Sequence, residues 1–171
     1  GTTTQTVNFT NLEPVWDIAS ATTLTVSTMV TNDNVYVYEI GPASGTGIVN
    51  GATSARSQFD SSEYVEFANK QRLVVNLGVG VDTATLRHPS KPDGLIDITV
   101  NGGTDSDRDT VAILDVSNTT NINYNASDAD SATIIGVQLV PVMVNDVDQV
   151  TVDAQNKVVT IELPTTAGGD A

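Results

Sequence analysis

The chain has 171 residues, and its 21 acidic against 7 basic side chains give a formal net charge of −14 at pH 7. This length suits a single domain with a continuous core. The acidity argues against direct nucleic-acid binding, because binding phosphate needs clustered Lys and Arg. The chain contains no Cys and therefore no disulfides, thiolate metal sites or thiol nucleophiles. Its one histidine, His88, excludes most metal sites and acid–base catalytic sites that are built from His.

The acidity comes mainly from Asp, and Lys is scarce: the sequence contains 16 Asp, 5 Glu and 3 Lys. Short, strongly hydrated carboxylates without long basic side chains are typical of adaptation to high salt. At 1 M salt the Debye length falls to about 3 Å, so the self-repulsion is largely screened. The alternative is an ordinary acidic extracellular protein.

In the first half of the chain, alternating apolar and polar residues predict strands over residues 5–9, 22–30 and 35–38. Asn32-Asp33-Asn34 predicts a turn between the last two, because short Asx side chains bond their own backbone. Residues 43–69 are rich in Gly, Ala and Ser, which predicts a long loop with a short helical turn near its end.

In the second half, the same alternation predicts strands over residues 72–79, 96–100 and 110–116. The Asn/Asp-rich residues 117–130 are predicted to be a loop. The remaining strands are predicted over 133–144, interrupted by Pro141, and as a hairpin over 149–152 and 157–163.

Together these elements predict one all-β domain over residues 1–171, a single jelly-roll or Greek-key β-sandwich of about eight to ten strands. The arms 1–4 and 164–171 are expected to be flexible. An immunoglobulin-like sandwich is the alternative, although the Cys…Trp…Cys spacing is absent. No repeat of fixed period is visible, which argues against a solenoid. The sequence shows neither an apolar run long enough to span a membrane nor a signal peptide.

The most distinctive polar motif is Asp105-Ser106-Asp107-Arg108-Asp109. Carboxylates at alternate loop positions can converge on a hard cation, so Asp105, Asp107 and Asp109 are candidate calcium ligands. The motif is not an EF-hand, because Thr110 stands where the turn needs Gly. The alternative is a solvated acidic loop. Calcium is the one cofactor that the sequence suggests.

No enzyme motif emerges, and we expect a non-enzymatic protein. Gly-x-Ser-x-Gly does not occur, and His88 lies in a Pro-flanked connector where an exposed loop residue is expected. Aromatic residues make up 5% of the chain, too few to line a sugar cleft, and Trp16 is expected to anchor the core or an interface. Asn8, Asn118 and Asn125 begin glycosylation sequons.

The sequence combines polar arms at both ends, a long loop of small residues and a strand pattern over the whole chain. This combination is typical of a subunit that assembles with its own copies. Together with the salt-adapted composition, the chain resembles small single jelly-roll capsid proteins of tailless, icosahedral, membrane-containing viruses of halophilic archaea. The resemblance implies a virion lattice built with copies of itself and other capsid subunits, near an internal membrane but not inserted in it. No catalytic residue carries over.

Two other hypotheses stay open. One is an extracellular adhesion, pilus or surface-layer module, stabilised by calcium at the Asp105–Asp109 motif. The other is a carbohydrate-binding module or hydrolase, which the low aromatic content disfavours.

Overall fold

The computed structural model describes residues 4–5, 15–27, 34–39, 48–49, 52–53, 55–59, 64–87, 92–104, 107–114, 122–128, 130–136, 140–153 and 158–162. In these ranges the regular structure is all strand, which confirms the all-β prediction, and no helix there is long and apolar enough to cross a membrane. The strands are β1 (Thr4–Gln5), β2 (Val15–Asp17), β3 (Ala21–Ser27), β4 (Asn34–Glu39), β5 (Ile48–Val49), β6 (Ala52–Thr53), β7 (Ala55–Phe59), β8 (Tyr64–Phe67), β9 (Lys70–Asn76), β10 (Thr83–Arg87), β11 (Asp97–Asn101), β12 (Thr110–Leu114), β13 (Ile122–Ala126), β14 (Ala132–Gly136), β15 (Val142–Asn145), β16 (Gln149–Asp153) and β17 (Val158–Glu162).

The strands form two large sheets and one small hairpin. The seven-stranded sheet has the order β1-β3-β9-β11-β15-β14-β13, the eight-stranded sheet has the order β17-β16-β12-β10-β4-β7-β8-β2, and β5 pairs with β6. In the middle of both sheets, the chain passes regularly from one sheet to the other. A strand of the seven-stranded sheet is followed by a strand of the eight-stranded sheet, and we call each such unit a coil. The four coils are β3–β4, β9–β10, β11–β12 and β15–β16.

Neighbouring coils pair in parallel within both sheets. In the seven-stranded sheet, β9 pairs in parallel with β3 and β11, and β11 with β15. In the eight-stranded sheet, β10 pairs in parallel with β4 and β12, and β12 with β16. Because the register is maintained, equivalent residues of successive coils lie beside one another in columns across the sheet.

The apolar columns form the core. One column contains Leu24, Leu73, Ile98 and Val142, and each of these side chains is at most 2% exposed. Residues of both large sheets belong to one buried cluster, so the two sheets pack face to face as in a sandwich. Alternating β-branched and leucine side chains produce this buried face on each strand.

A polar column ends the strands of the seven-stranded sheet. It consists of Ser27, Asn76, Asn101 and Asn145, the last residues of β3, β9, β11 and β15. Asn145 Nδ2 donates to Asn101 Oδ1 at 2.8 Å, and Asn101 Nδ2 donates to Asn76 Oδ1 at 2.7 Å. Asn76 Nδ2 donates to Ser27 Oγ at 3.0 Å. Side-chain amides stacked in register thus form a hydrogen-bonded ladder across all four coils.

Two glycines let the turns after this ladder approach closely. A Cβ at Gly102 would lie 1.8 Å from the carbonyl oxygen of Asp146, and one at Gly103 would lie 1.9 Å from that of Gly78. Gly103 also has a φ of 145°, which side chains rarely adopt. The turns of adjacent coils therefore stack directly on one another.

The predicted jelly-roll connectivity is not confirmed. Jelly rolls and Greek keys are built from antiparallel neighbours, whereas the coils pair in parallel. The argument against a solenoid rested on the absence of a repeat of fixed period, and it does not extend to coils of this kind. The coils recur at unequal intervals, because β5–β8 are inserted after the first coil and β13–β14 after the third. A search for a fixed period therefore misses them.

Several local predictions also differ from the structure. The predicted loop 43–69 contains the strands β5–β8, and the predicted loop 117–130 contains β13. The predicted strand 133–144 is divided into β14 and β15, which pair antiparallel. Ile96, the first residue of the predicted strand 96–100, is 60% exposed and precedes β11 rather than belonging to it.

Other predictions agree with the structure or fall outside the described residues. The hairpin at 149–163 is confirmed by the antiparallel pairing of β16 and β17. Thr4, assigned to the N-terminal arm, lies in β1 and pairs with Thr23. The C-terminal arm 164–171 lies outside the described residues.

Replacing Asn101 with Ala removes a ladder hydrogen bond on each side. We expect Asn101→Ala to lower the free energy of unfolding by about 1–3 kcal/mol, because its half-buried partners lose their bonds. Urea denaturation at constant salt measures the change. The matched control is Asn125→Ala on β13, where the side chain is exposed and a change within about 0.5 kcal/mol is expected. Equal losses in the two variants would contradict a stabilising role for the ladder.

Candidate functional site

The turns between the two sheets bring three aspartates into one column. Asp82, Asp109 and Asp148 each immediately precede the first residue of β10, β12 and β16, and these first residues pair in register. The side chains are far from equally accessible: Asp82 is 0% and Asp109 is 2% exposed, whereas Asp148 is half-buried. A column of carboxylates in parallel register would be repulsive without compensating donors.

Backbone amides supply those donors. Asp109 Oδ1 accepts a hydrogen bond from the Asp82 N–H at 2.9 Å, and Asp148 Oδ2 accepts one from the Asp109 N–H at 2.8 Å. The Asp109 carbonyl also accepts from the N–H groups of Asp148 and Gln149. The carboxylates of Asp109 and Asp148 therefore each fasten their own turn to the turn of the preceding coil by a charge-assisted hydrogen bond.

A second pair of carboxylates lies beside this column. Asp146 adopts a φ of 52°, in the left-handed region that Asp and Asn tolerate best among non-glycine residues. The Val147 N–H donates to the Asp130 carbonyl at 3.1 Å, which holds the two segments together. Partial burial, followed by repulsion from Asp130, raises the pKa of Asp146 above its ordinary value of 3.8.

The structure places the three candidate calcium ligands in different environments. Asp105 lies outside the described residues, Asp107 is exposed, and Asp109 is buried with Oδ1 bonded to the Asp82 amide. Within the described ranges, no group of three or more side chains is placed to hold a metal ion. Calcium binding at Asp105, Asp107 and Asp109 stays a prediction.

Sequence reasoning missed a buried ion pair between Asp17 and Lys70. Lys70 Nζ lies 2.8 Å from Asp17 Oδ1, and the two side chains are 0% and 5% exposed. Lys70 Nζ also donates to the Ala19 carbonyl, and the Ala19 N–H donates to Asp17 Oδ1 at 3.2 Å. Asp17 Oδ2 is buried and has no hydrogen-bond partner in the described part of the chain.

Local backbone geometry fixes this pair in place. Asn69, adjacent to Lys70, has a φ of 59°, and its Nδ2 donates to the Ile18 carbonyl at 3.0 Å. The Ala68 N–H donates to the Asp17 carbonyl at 3.2 Å, and the Ala21 N–H donates to the Asn69 carbonyl at 3.2 Å. The segments that carry Asp17 and Lys70 are thus joined by backbone hydrogen bonds on both sides of the ion pair.

Trp16 lies on β2, the outermost described strand of the eight-stranded sheet, and is 68% exposed. The core position considered for it is therefore wrong. The other large exposed apolar side chains in the described ranges are Val79, Val81 and Ile96. Asn125 is exposed on β13. His88, Asn8 and Asn118 fall outside the described residues.

Comparisons of the chain with models of known families, with curated proteins and with solved structures found no match. The aspartate column, the buried Asp17–Lys70 pair and the exposed Trp16 are therefore the features from which a function can be inferred.

Replacing Asp109 separates the role of its acceptor oxygen from that of its charge. Asp109→Ala leaves the buried Asp82 N–H without its acceptor, and we expect it to cost about 1–3 kcal/mol of stability. Asp109→Asn keeps an acceptor oxygen and should cost less. Thr104→Ala, at an exposed position of the same connection, serves as the control, with an expected change within about 0.5 kcal/mol. Urea denaturation measures all three, and a loss for Asp109→Ala no larger than the control would contradict the interpretation.

The raised pKa of Asp146 predicts a pH-dependent effect. The folded state binds the proton more tightly than the unfolded state, so ionising Asp146 costs stability. That cost is absent well below pH 3.8 and complete above the folded-state pKa. Asp146→Asn removes the cost and suits the left-handed backbone, so we expect a gain at pH 7 of at most about 0.5 kcal/mol at this exposed site. Melting temperatures between pH 3 and pH 7 at low salt measure it; a less stable variant at pH 7 would refute the assignment.

Proposed function

We propose that this protein is a non-enzymatic structural subunit that assembles with copies of itself in a high-salt environment. Two forms of assembly follow from the sequence: a virion capsid subunit in an icosahedral lattice, and an extracellular adhesion, pilus or surface-layer module. The observation that carries the proposal is the exposure of Trp16 on the outermost strand of a large sheet.

An outermost strand offers unpaired backbone N–H and C=O groups to another chain. Large aromatic side chains are enriched at the centres of protein interfaces, where they contribute a large share of the binding energy. Trp16 is followed directly by Asp17, whose buried ion pair holds β2 in position. The indole is therefore presented on an anchored strand, which lowers the entropy cost of binding a second copy.

The charge of the chain sets the conditions for such contacts. Each copy carries a formal charge of −14, so copies repel one another in dilute buffer. At molar salt the repulsion is screened over about 3 Å, and apolar contacts around Trp16 can prevail. Assembly is therefore expected to strengthen as salt is added, the reverse of an association driven by opposite charges.

The connectivity of the sheets favours the surface module over the capsid subunit. A single jelly-roll capsid subunit needs antiparallel ladders through both sheets. The four coils pair in parallel and are bonded to one another through the Asn ladder and the Asp column. A stack cross-linked in this way suits a rigid extracellular module. The capsid form would additionally require other capsid subunits and proximity to a membrane without insertion.

Light scattering coupled to size-exclusion chromatography tests the proposal across a salt series. We expect oligomers at molar salt and monomers in dilute buffer, because only salt removes the repulsion between copies. Trp16→Ala should weaken the association at least about tenfold, as expected for a central aromatic contact.

Val79→Ala is the matched control, since Val79 is 56% exposed and follows the end of β9 opposite to Lys70, the residue that contacts β2. It should leave the salt-dependent association unchanged. A protein that stays monomeric at every salt concentration would refute self-assembly. An unaltered Trp16→Ala variant would refute the proposed contact.

A further inference from the structure

We propose that Lys70 and Asp17 condense to form an amide cross-link inside the protein. The inference does not depend on the assembly proposed above. It rests on an amine and a carboxylate that are held together, out of water, by the surrounding backbone.

The contact between the two groups is direct. Lys70 Nζ lies 2.8 Å from Asp17 Oδ1, and the side chains are 0% and 5% exposed. Reacting groups that are fixed in the right geometry can have effective concentrations of about 10⁵–10⁸ M, which lowers the barrier to their reaction. The hydrogen bonds of Ala19 to both groups orient them further.

The two carboxylate oxygens have different environments. Asp17 Oδ1 accepts hydrogen bonds from Lys70 Nζ and from the Ala19 N–H, so it is held in position. Asp17 Oδ2 is buried and has no hydrogen-bond partner in the described residues. Oδ1, held by the Ala19 N–H, is placed to remain as the carbonyl oxygen of the amide, and Oδ2 departs once it has taken up protons from Lys70 Nζ.

The energetics of burial favour the product. A buried ion pair pays a desolvation cost for both charges, and a buried oxygen without a donor adds to it. Condensation replaces the ammonium and the carboxylate with one neutral amide and removes the oxygen without a partner. Exclusion of water from the site also slows the reverse hydrolysis.

The step is balanced without any other reactant. A proton first passes from the Lys70 ammonium to the carboxylate, which frees the nitrogen lone pair. Nζ then forms a bond to Asp17 Cγ, and the bond from Cγ to Oδ2 breaks. Two of the three ammonium protons leave with Oδ2 as water, and the third remains on the amide nitrogen. No charge is gained or lost, because one positive and one negative group disappear together.

The product joins the two sheets covalently. Asp17 ends β2 in the eight-stranded sheet, and Lys70 begins β9 in the seven-stranded sheet. The two residues are 53 positions apart in the chain, so the cross-link closes a long loop and restricts the unfolded state as a disulfide would. A chain without Cys gains in this way a cross-link that reducing agents cannot break.

Mass spectrometry of the intact, denatured protein tests the proposal. We expect a mass one water below that of the sequence. Trypsin should then fail to cut after Lys70, and residues 1–56 should be recovered joined to residues 57–72. An intact mass equal to that of the sequence would overturn the proposal. So would a water loss located at Asp93-Gly94, which would indicate a cyclic imide instead.

Variants locate the reaction at the two residues. Lys70→Arg keeps a positive charge but removes the amine, and Asp17→Ala removes the carboxylate, so both should have the full sequence mass. A water loss retained in either would refute the assignment.

The matched control uses the exposed ion pair of Arg72 and Asp97, whose Nε–Oδ1 distance is 2.6 Å. Arg72→Lys places an amine opposite a carboxylate at a site where the Arg72 side chain is 49% exposed. This variant should still lose a single water. Loss of a second water would contradict the argument that burial drives the condensation.

Discussion

In-register parallel pairing between the coils is the constraint on which the other features depend. It places each side chain next to its equivalents in adjacent coils, so every position is repeated across the sheet. Apolar residues in such a column stabilise the fold by packing against one another. Asn residues stabilise it because each side-chain amide can both donate and accept a hydrogen bond. Asp residues in a column do not stabilise the fold by themselves, because their carboxylates repel one another. The structure tolerates Asp82, Asp109 and Asp148 because the carboxylates of Asp109 and Asp148 accept backbone amides from the preceding coil.

β2 takes no part in this parallel stack of coils, so it is held in place by a different interaction, the Asp17–Lys70 ion pair. β2 lies at the end of the eight-stranded sheet, away from the coils, and pairs with β8 over three residues. So short a strand is held weakly by its own backbone bonds. The contact of Asp17 with Lys70 connects it to the first strand of the second coil. The position of Trp16 at the surface is therefore tied to the core through the neighbouring residue.

The sequence predicted the strands of the coils better than their arrangement. Alternation shows which face of a strand is buried, as for β3 and β12, but it does not show which strand lies alongside. A signal for the arrangement was present: Val-Asn ends an apolar strand at 75–76, 100–101 and 144–145. Inserted strands made its spacing irregular. The Asp17–Lys70 pair could not be predicted from the local sequence, because the two residues are far apart in the chain and neither lies in a distinctive motif.

The placement of the inserted strands has a consequence for how this molecule can change. Both β5–β8 and β13–β14 are inserted after the eight-stranded-sheet strand of one coil and before the seven-stranded-sheet strand of the next coil. The opposite connections carry the aspartate column and the stacked glycine turns, where a side chain at Gly102 or Gly103 would clash with the neighbouring turn. Whole strands are thus inserted on one side of the stack, whereas the connections 77–82, 102–109 and 146–148 on the other side contain no strand in their described residues. New loops, tags or epitopes grafted on the permissive side should leave the stacking of the coils intact.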